Sequence, residues 1–176
     1  FNAFGLPIQT IDPRNNATSY TYDQYNLYPT RVTNALGQAS IFGYDYTFGK
    51  PKSVTDPNGF VQDTALDGFG RTVLVRASDD AAPNTLVTKS AVSYTDVRNA
   101  FAEYSRTFLS DKLSTDTYTF YDGLGRPVQK KASHEDGQFA TADTVYGDDG
   151  VVATQSLPYY TLGPAKNAPT ANTALL

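Results

Sequence analysis

An acidic or amide residue recurs every eleven positions through the first third of this chain, at Asp12, Asp23, Asn34, Asp45, Asp56 and Asp67. Self-similarity at a fixed spacing indicates a fold of stacked supersecondary units. Alternate members have different surroundings, so the full repeat is 22 residues long and contains two kinds of turn. In one kind the residue opens a turn such as Asp56-Pro57-Asn58-Gly59, and in the other it follows an aromatic residue, as in Tyr44-Asp45.

The eleven-residue step matches the size of half a β-hairpin. A strand of about seven residues spans roughly 23 Å, and a tight connection takes the remaining four or so. Asp or Asn suits the first turn position because its side-chain oxygen accepts hydrogen bonds from backbone N–H groups two residues on, and Pro57 fixes φ at the next position. Gly70 and Gly125 are predicted to adopt the left-handed conformation that glycine tolerates best. Each unit is therefore predicted to be a hairpin.

Between the turns, side chains alternate as they do in half-buried strands. One face carries Thr18, Tyr20, Tyr22, Ser40, Phe42 and Tyr44, and the other carries Ala17, Ser19, Thr21, Ala39, Ile41 and Gly43. The least regular stretch, residues 97–109, fits a helix about as well as a strand, and we favour a strand. The sequence predicts an all-β fold of tandem antiparallel β-hairpins.

Composition excludes several classes of partner. The net charge is −4 and no basic cluster is present, so we expect no binding to nucleic acid. No apolar run approaches the length of a membrane span, so this segment is not expected to insert into a membrane. Cysteine is absent, which removes disulfides, thiolate metal sites and a cysteine nucleophile. We expect no cofactor and no metal.

Candidate catalytic groups are better explained as parts of turns. His134, the single histidine, lies in Ser133-His134-Glu135-Asp136-Gly137, which is typical of a polar hairpin loop rather than a catalytic triad. The pairs Asp79-Asp80 and Asp148-Asp149 lie beside turn residues and are interpreted as solvated loops. Asp56 and Asn58 lack the remaining ligands of a calcium loop. We therefore expect no enzymatic activity.

Two near copies, Asp67-Gly68-Phe69-Gly70-Arg71 and Asp122-Gly123-Leu124-Gly125-Arg126, lie 55 residues apart, and Tyr121 precedes the second. This pattern resembles the Rhs, or YD-repeat, family over at least residues 4–77 and 117–157. The repeat residues that carry the resemblance are Tyr22, Asp23, Tyr44, Asp45, Asp67, Gly70, Arg71, Tyr121, Asp122, Gly125 and Arg126. Their roles are expected to be structural, because motifs at the period of strands and turns serve stacking.

The later stretch, from Tyr121 to Tyr160, is similar to the Rhs-repeat region of bacterial toxin-complex B-type (SpvB/TcdB-like) proteins. The resemblance implies a curved or spiralling sheet that forms part of a larger shell around a toxic polypeptide. It also implies a secreted or cell-surface bacterial protein, whose partners are other Rhs repeats of the parent chain or a partner toxin component. The alternative is an adhesin-like module that binds a carbohydrate or a protein through the exposed faces of Tyr20, Tyr22, Phe42 and Tyr44.

Interruptions of the 22-residue repeat divide the chain into four predicted segments. Residues 1–77 hold regular 22-residue hairpin repeats, and 78–116 hold an insertion loop and a degenerate repeat. Residues 117–162 hold further YD-type hairpins, and 163–176 form an irregular tail without alternation, which we expect to be mobile or to depend on further sequence. The length favours a single domain. The absence of methionine and the start in mid-repeat suggest a piece of a longer protein.

Overall fold

The computed structural model describes residues 1–134, 136–169 and the backbone of 173–175. All regular elements in these residues are strands, and the described part of the chain has no helix that could cross a membrane. The strands are β1 (Gln9–Ile11), β2 (Ala17–Tyr22), β3 (Pro29–Thr33), β4 (Ala39–Asp45), β5 (Lys50–Thr55), β6 (Val61–Leu66), β7 (Thr72–Ser78), β8 (Leu86–Thr95), β9 (Ala102–Ser110), β10 (Leu113–Tyr121), β11 (Pro127–Ser133), β12 (Gln138–Tyr146), β13 (Val152–Ser156), β14 (Tyr159–Leu162) and β15 (Thr173–Leu175).

The chain forms two compact units, Phe1–Lys89 and Ser90–Leu176. The chain length had favoured a single domain. In the first unit, β1 to β7 follow one another in space in chain order, and every neighbouring pair is antiparallel. Register shifts occur beside Tyr22, Tyr44 and Leu66, the residues that precede Asp23, Asp45 and Asp67. These irregularities place the second kind of turn at the same point of every hairpin.

In the second unit, the same order continues from the 90–95 part of β8 through β9, β10, β11 and β12. Strand β12 then departs from the simple array because it pairs with three strands. Residues 139–143 pair with β11, 138–141 with β14, and 144–146 with β13. The chain that follows β14 returns to the neighbourhood of β11, as described below.

Burial follows the predicted alternation, but side chains are covered only in part. In β2 and β4, Tyr20, Tyr22, Phe42 and Tyr44 are half-buried, whereas Thr21 and Ile41 on the opposite face are exposed. Among the described residues no apolar side chain is fully buried. The buried residues are polar instead: Ser78, Thr119, Gln129, Lys131, Thr141, Asp143 and Ser156.

The all-β fold of tandem antiparallel hairpins is confirmed. The strand favoured for residues 97–109 is present from Ala102 onward as β9, whereas residues 97–101 form the turn before it. The connection between β7 and β8 is exposed at 81–85. The tail predicted at 163–176 lies partly outside the described residues. Within it, 163–169 has no regular structure and β15 pairs with β13.

Candidate functional site

The repeated turns share one hydrogen-bond scheme. Asp67 Oδ1 accepts bonds from the backbone N–H groups of Phe69 and Arg71, both at 2.9 Å, and the Gly70 N–H donates to the Asp67 carbonyl at 3.0 Å. Asp12, Asp23, Asn34, Asp56 and Asp122 accept the same pair of N–H groups, two and four residues on. The eleven-residue period is therefore a period of side-chain-capped turns.

The residue three positions after each turn opener is left-handed. Gly70 and Gly125 have φ values of 75° and 77°, as the turn assignment requires, and Gly37 and Gly59 behave likewise. Asn15 and Asn26 occupy the same turn position, with φ values of 64° and 54°. The turn after Asp45 has one more residue, so its left-handed position falls at Gly49. Glycine and asparagine tolerate this conformation with the least strain.

Tyrosines of the repeat link each hairpin to the one before it. The Tyr22 hydroxyl donates to the carbonyl oxygen of Pro7 at 3.0 Å, and that of Tyr44 donates to Pro29 at 3.2 Å, fifteen residues upstream in both cases. Tyr146 makes the same contact with Pro127 at 3.1 Å. In all three cases the tyrosine hydroxyl thus donates a hydrogen bond to a backbone carbonyl of an earlier segment.

The arginines of the two near copies close their own turns. Arg71 Nε donates to Asp67 Oδ2 at 2.8 Å, and Arg126 Nε donates to Asp122 Oδ2 at 2.8 Å. The Arg71 guanidinium lies over the Phe69 ring, and that of Arg126 lies 4.3 Å from the centroid of Tyr146. Desolvation raises the pKa of Asp67, but the hydrogen bonds from the backbone and side chain of Arg71 and from the Phe69 N–H together outweigh it, so the pKa is lowered on balance. The arginines thus pair with Asp and stack on an aromatic ring.

Three serines, which sequence reasoning missed, fix the far ends of hairpins. Ser78 Oγ accepts from the Val61 N–H, Ser133 Oγ from the Asp116 N–H, and Ser156 Oγ from the Asp143 N–H, each at 2.9 Å. Each serine ends its strand. Ser78 and Ser133 are 55 residues apart, the same separation as Asp67 and Asp122, which is the signal that would have revealed them.

An aromatic cluster lies at one end of the first unit. Tyr28 stacks on Tyr44 with ring centroids 4.5 Å apart, and Tyr25 meets Tyr46 edge to face at 5.7 Å. The Tyr46 hydroxyl donates to Asp23 Oδ2 at 2.8 Å, which raises the pKa of Tyr46. Tyr25 and Tyr46 are exposed, whereas Tyr28 and Tyr44 are half-buried. This cluster overlaps the predicted binding face only at Tyr44.

The candidate catalytic groups are engaged in local contacts. His134 Nδ1 lies 3.2 Å from Asp136 Oδ1, and both side chains are about half exposed. Ser133 Oγ is occupied by the Asp116 N–H, and the His134 ring meets Tyr160 at 5.2 Å. Glu135 lies outside the described residues. Asp56 accepts bonds from its own turn, and no group of three or more acidic or histidine side chains in the described residues could hold a metal ion.

A buried polar cluster in the second unit was also missed. Asp143 Oδ1 accepts from Gln129 Nε2 at 2.7 Å, and Asp143 Oδ2 accepts from the Tyr159 hydroxyl at 2.7 Å. Burial, together with this carboxylate, raises the pKa of Tyr159 to about 12. Asp143 and Gln129 face each other across β12 and β11 and are 1% and 2% exposed. In the described residues every fully buried side-chain nitrogen or oxygen has a partner.

The chain after β14 joins this cluster through Asn167. The Asn167 N–H donates to Gln129 Oε1 at 2.9 Å, and the Asn167 carbonyl accepts from Gln129 Nε2 at 3.3 Å. Lys131, which is 1% exposed, donates from Nζ to the side-chain oxygen of Asn167 and to the Gly163 carbonyl. A cavity of 350 Å³ borders Gln129, Asp143 and Asn167. The segment predicted to be mobile is therefore hydrogen-bonded at residue 167.

Comparison with known families identifies the repeated units. Residues 1–39 match the family model described as RHS Repeat. Over these residues the chain is similar to the RHS Repeat family. The predicted resemblance to the Rhs, or YD-repeat, family is thus confirmed, and Tyr22-Asp23 lies within the matched residues. No curated protein matches the chain. The matched Rhs residues span β1, β2, β3 and the turn that opens at Asn34.

Solved structures of toxin-complex proteins share the fold of this chain. The crystal structure of TcdB2-TccC3 has a TM-score of 0.67 and 18% identity, over 82% of this chain and 10% of that one. The crystal structure of TcdB2-TccC3-Cdc42 has a TM-score of 0.68 and 15% identity, over 82% of this chain and 12% of that one. The structure of the Photorhabdus luminescens Tc holotoxin pore has a TM-score of 0.66 and 16% identity, over 82% of this chain and 12% of that one. The chain spans about a tenth of the length of the solved chains that it matches.

Proposed function

We propose that this chain is a non-enzymatic structural segment of a large bacterial toxin-complex-like protein. In this proposal it builds part of a β-shell that encloses a toxic polypeptide. Its partners are other Rhs repeats of the parent chain or a partner toxin component, and the assembly is secreted or displayed at the cell surface. The predicted segments 1–77, 78–116, 117–162 and 163–176 are successive stretches of the wall.

The observation that carries the proposal is the incomplete cover of the hairpin arrays. No apolar side chain in the described residues is fully buried, although almost every strand is paired on both sides. Large apolar residues protrude at equivalent turn positions, with Leu36 83%, Phe69 77% and Leu124 79% exposed. A contiguous sheet with uncovered apolar groups needs further protein against it to be stable in water. Neighbouring turns of a shell would supply that cover.

The contact pattern supports a structural role for the repeat residues. Asp67, Gly70 and Arg71 are occupied within their own turn, and Asp122, Gly125 and Arg126 repeat the arrangement. Tyr22 and Tyr44 join consecutive hairpins, while Asp23 and Asp45 cap the turns that follow. Hydrogen-bonding capacity that is already used within the repeat leaves little for a substrate.

Cryo-electron microscopy of the longest polypeptide that contains this sequence tests the proposal directly. We expect the hairpins to lie in the wall of a hollow shell, with the exposed apolar turn residues Leu36, Phe69 and Leu124 against neighbouring repeats. A structure in which the same residues face bulk solvent on a free-standing module would contradict the shell.

A second test uses the chain alone. Strand β1 pairs only with β2 among the described strands, and Gln9, Thr10 and Ile11 are all exposed. An exposed edge invites pairing with another chain, so sedimentation velocity should show association that grows with concentration. Ile11→Lys should weaken the association, whereas Gln24→Lys, at an exposed polar position of the turn between β2 and β3, should not. A monomer at every concentration would argue against an open strip.

The exposed pair Tyr25 and Tyr46 favours the second candidate, an adhesin-like module that binds a carbohydrate or a protein. Adjacent exposed aromatic rings are the usual platform for a sugar ring or an apolar side chain. The predicted face of Tyr20, Tyr22, Phe42 and Tyr44 remains part of this hypothesis. A ligand that binds only the native state raises the melting temperature with dose. A shift with an oligosaccharide that Tyr46→Ala abolishes would establish this function over the shell.

A further inference from the structure

Lys131 is an unusual lysine because its charged end is enclosed. It lies on β11, opposite Thr141 of β12, and is 1% exposed, whereas its neighbour Lys130 is exposed. Lysine is almost never fully buried without a charged partner or a chemical role. Lys131 Nζ donates to two amide oxygens, the side-chain oxygen of Asn167 and the backbone carbonyl of Gly163.

The amide of Asn167 is held firmly against this amine. Gln129 binds the backbone of Asn167 through both ends of its side-chain amide, at 2.9 Å and 3.3 Å. The Asn167 side-chain oxygen accepts from Lys131 Nζ, so Cγ lies one covalent bond beyond the contact atom. Fixing a nucleophile against a carbonyl group in this way replaces a bimolecular encounter by an intramolecular one.

A carboxyl group completes the arrangement. Asp143 lies diagonally across the β11–β12 pair from Lys131 and on the same face, since its direct partner is Gln129. It is 1% exposed, and its charge acts on the Lys131 amine. Burial is nevertheless the larger influence and lowers the pKa of Lys131, which favours the neutral amine.

We propose that Lys131 and Asn167 form an intramolecular isopeptide bond, with Asp143 as the group that transfers the proton. Asp143 takes a proton from the Lys131 ammonium group, and the neutral Nζ attacks Asn167 Cγ. The tetrahedral adduct collapses as the Cγ–Nδ2 bond breaks, and the leaving nitrogen receives the protons that Nζ and Asp143 give up. One amide is replaced by another and one ammonium ion is released, so no oxidant or external reactant is required.

The bond would join the middle of β11 to the chain after β14, across 36 residues. It does not depend on the shell proposal, because all of the reacting groups belong to one unit of this chain. It would convert the contact that holds residue 167 into a covalent one, in a protein that has no cysteine for a disulfide.

Intact-mass spectrometry of the purified 176-residue chain tests the proposal. We expect the folded protein to be lighter than its sequence by one ammonia, and a proteolytic digest to contain a branched peptide that joins residues 131 and 167. Cyclisation of an asparagine to a succinimide also removes ammonia, and two lysine variants separate the cases. Lys131→Arg should restore the full mass, whereas Lys130→Arg should not.

Two further variants address the acceptor and the proton carrier. Asn167→Asp should lose one water instead of one ammonia, because the same bond forms from a carboxyl group. Asp143→Ala should keep the full mass, with circular dichroism to verify that its strands remain. A wild-type mass equal to that of the sequence after long incubation would show that Lys131 and Asn167 are joined by a hydrogen bond only, and would overturn the proposal. A cross-link that persists in folded Asp143→Ala would remove Asp143 from it.

Discussion

Arg106 and Asp116 face each other directly across β9 and β10 and form a two-point ion pair. Arg106 Nε lies 2.6 Å from Asp116 Oδ1, and Arg106 Nη2 lies 2.8 Å from Asp116 Oδ2. Tyr104 also donates its hydroxyl to Asp116 Oδ1 at 3.0 Å. Arg76 and Asp63 make the equivalent cross-strand pair between β7 and β6. Among the described residues, each unit therefore has an arginine–aspartate pair that joins two neighbouring strands.

The Arg106 pair makes stability depend on acidity. The hydrogen bond from Arg106 lowers the pKa of Asp116 against the opposing effect of burial. A carboxyl group with a lowered folded pKa stabilises the protein above its unfolded pKa of about 3.9, and this contribution is lost as the pH falls through the folded pKa. Thermal unfolding followed by circular dichroism should show a falling Tm below that pH. In Asp116→Asn the fall should be shallower, and an unchanged slope would contradict the assignment.

Two glycines with the same conformation should respond differently to a side chain. A Cβ atom at Gly70 would lie 2.7 Å from Cδ1 of the Phe48 ring, whereas one at Gly125 would meet nothing within 4 Å. Alanine at Gly125 should cost about 1 kcal/mol for the left-handed conformation alone. Gly70→Ala should cost ~1–3 kcal/mol more, because the Phe48 ring must move. Urea unfolding measures both, and equal losses would show that the ring yields freely.

The Tyr44 hydroxyl should stabilise the junction between hairpins. Tyr44→Phe removes the donor to the Pro29 carbonyl and should reduce the free energy of unfolding by about 0.5–1.5 kcal/mol. Tyr25→Phe is the matched control, since that side chain is 61% exposed and should have no effect beyond experimental error. A loss in the control as large as that in Tyr44→Phe would indicate a general effect of tyrosine removal.

Tyr159 should titrate well above an ordinary tyrosine. Burial, with the nearby Asp143 carboxylate, raises its pKa to about 12. A raised folded pKa means that the stabilisation is complete below the unfolded pKa of about 10 and is lost as the pH rises toward the folded value. Ultraviolet titration of wild type and Tyr159→Phe should isolate one late transition. Its absence from the difference curve would contradict the contact with Asp143.

The turns could be predicted from the sequence because they are local. An Asp or Asn oxygen reaches N–H groups two and four residues on, and the left-handed residue follows at a fixed distance, so one period reveals all of them. The turn after Asp45 is the exception, because its left-handed residue, Gly49, follows one position later than the period predicts. The presence of the strands could be predicted equally well, because side-chain alternation depends only on residues close in the sequence.

Contacts between distant segments could not be predicted. Gln129 and Asn167 are separated by 38 residues, and a polar residue on a strand has the same appearance in the sequence whether it faces water or a buried partner. Likewise, the acceptor for Tyr44 is a proline carbonyl, which leaves no trace in side-chain chemistry. The clearest sequence signal for this cluster is the alternation of side chains, which places Gln129 and Lys131 on the same face of β11. In the structure they pair directly with Asp143 and Thr141 of β12.

The tyrosine-to-proline links also constrain how such a gene can change in length. Tyr22 reaches Pro7 and Tyr44 reaches Pro29 over the same fifteen residues, and these prolines recur at intervals of 22. Duplication or loss of 22 codons within the regular repeats therefore leaves every such bond with a partner. Tyr146 and Pro127 keep the same bond across 19 residues, so a hairpin can also lengthen between the two partners without losing it. Unequal recombination in whole repeats is the change in length that needs no such adjustment.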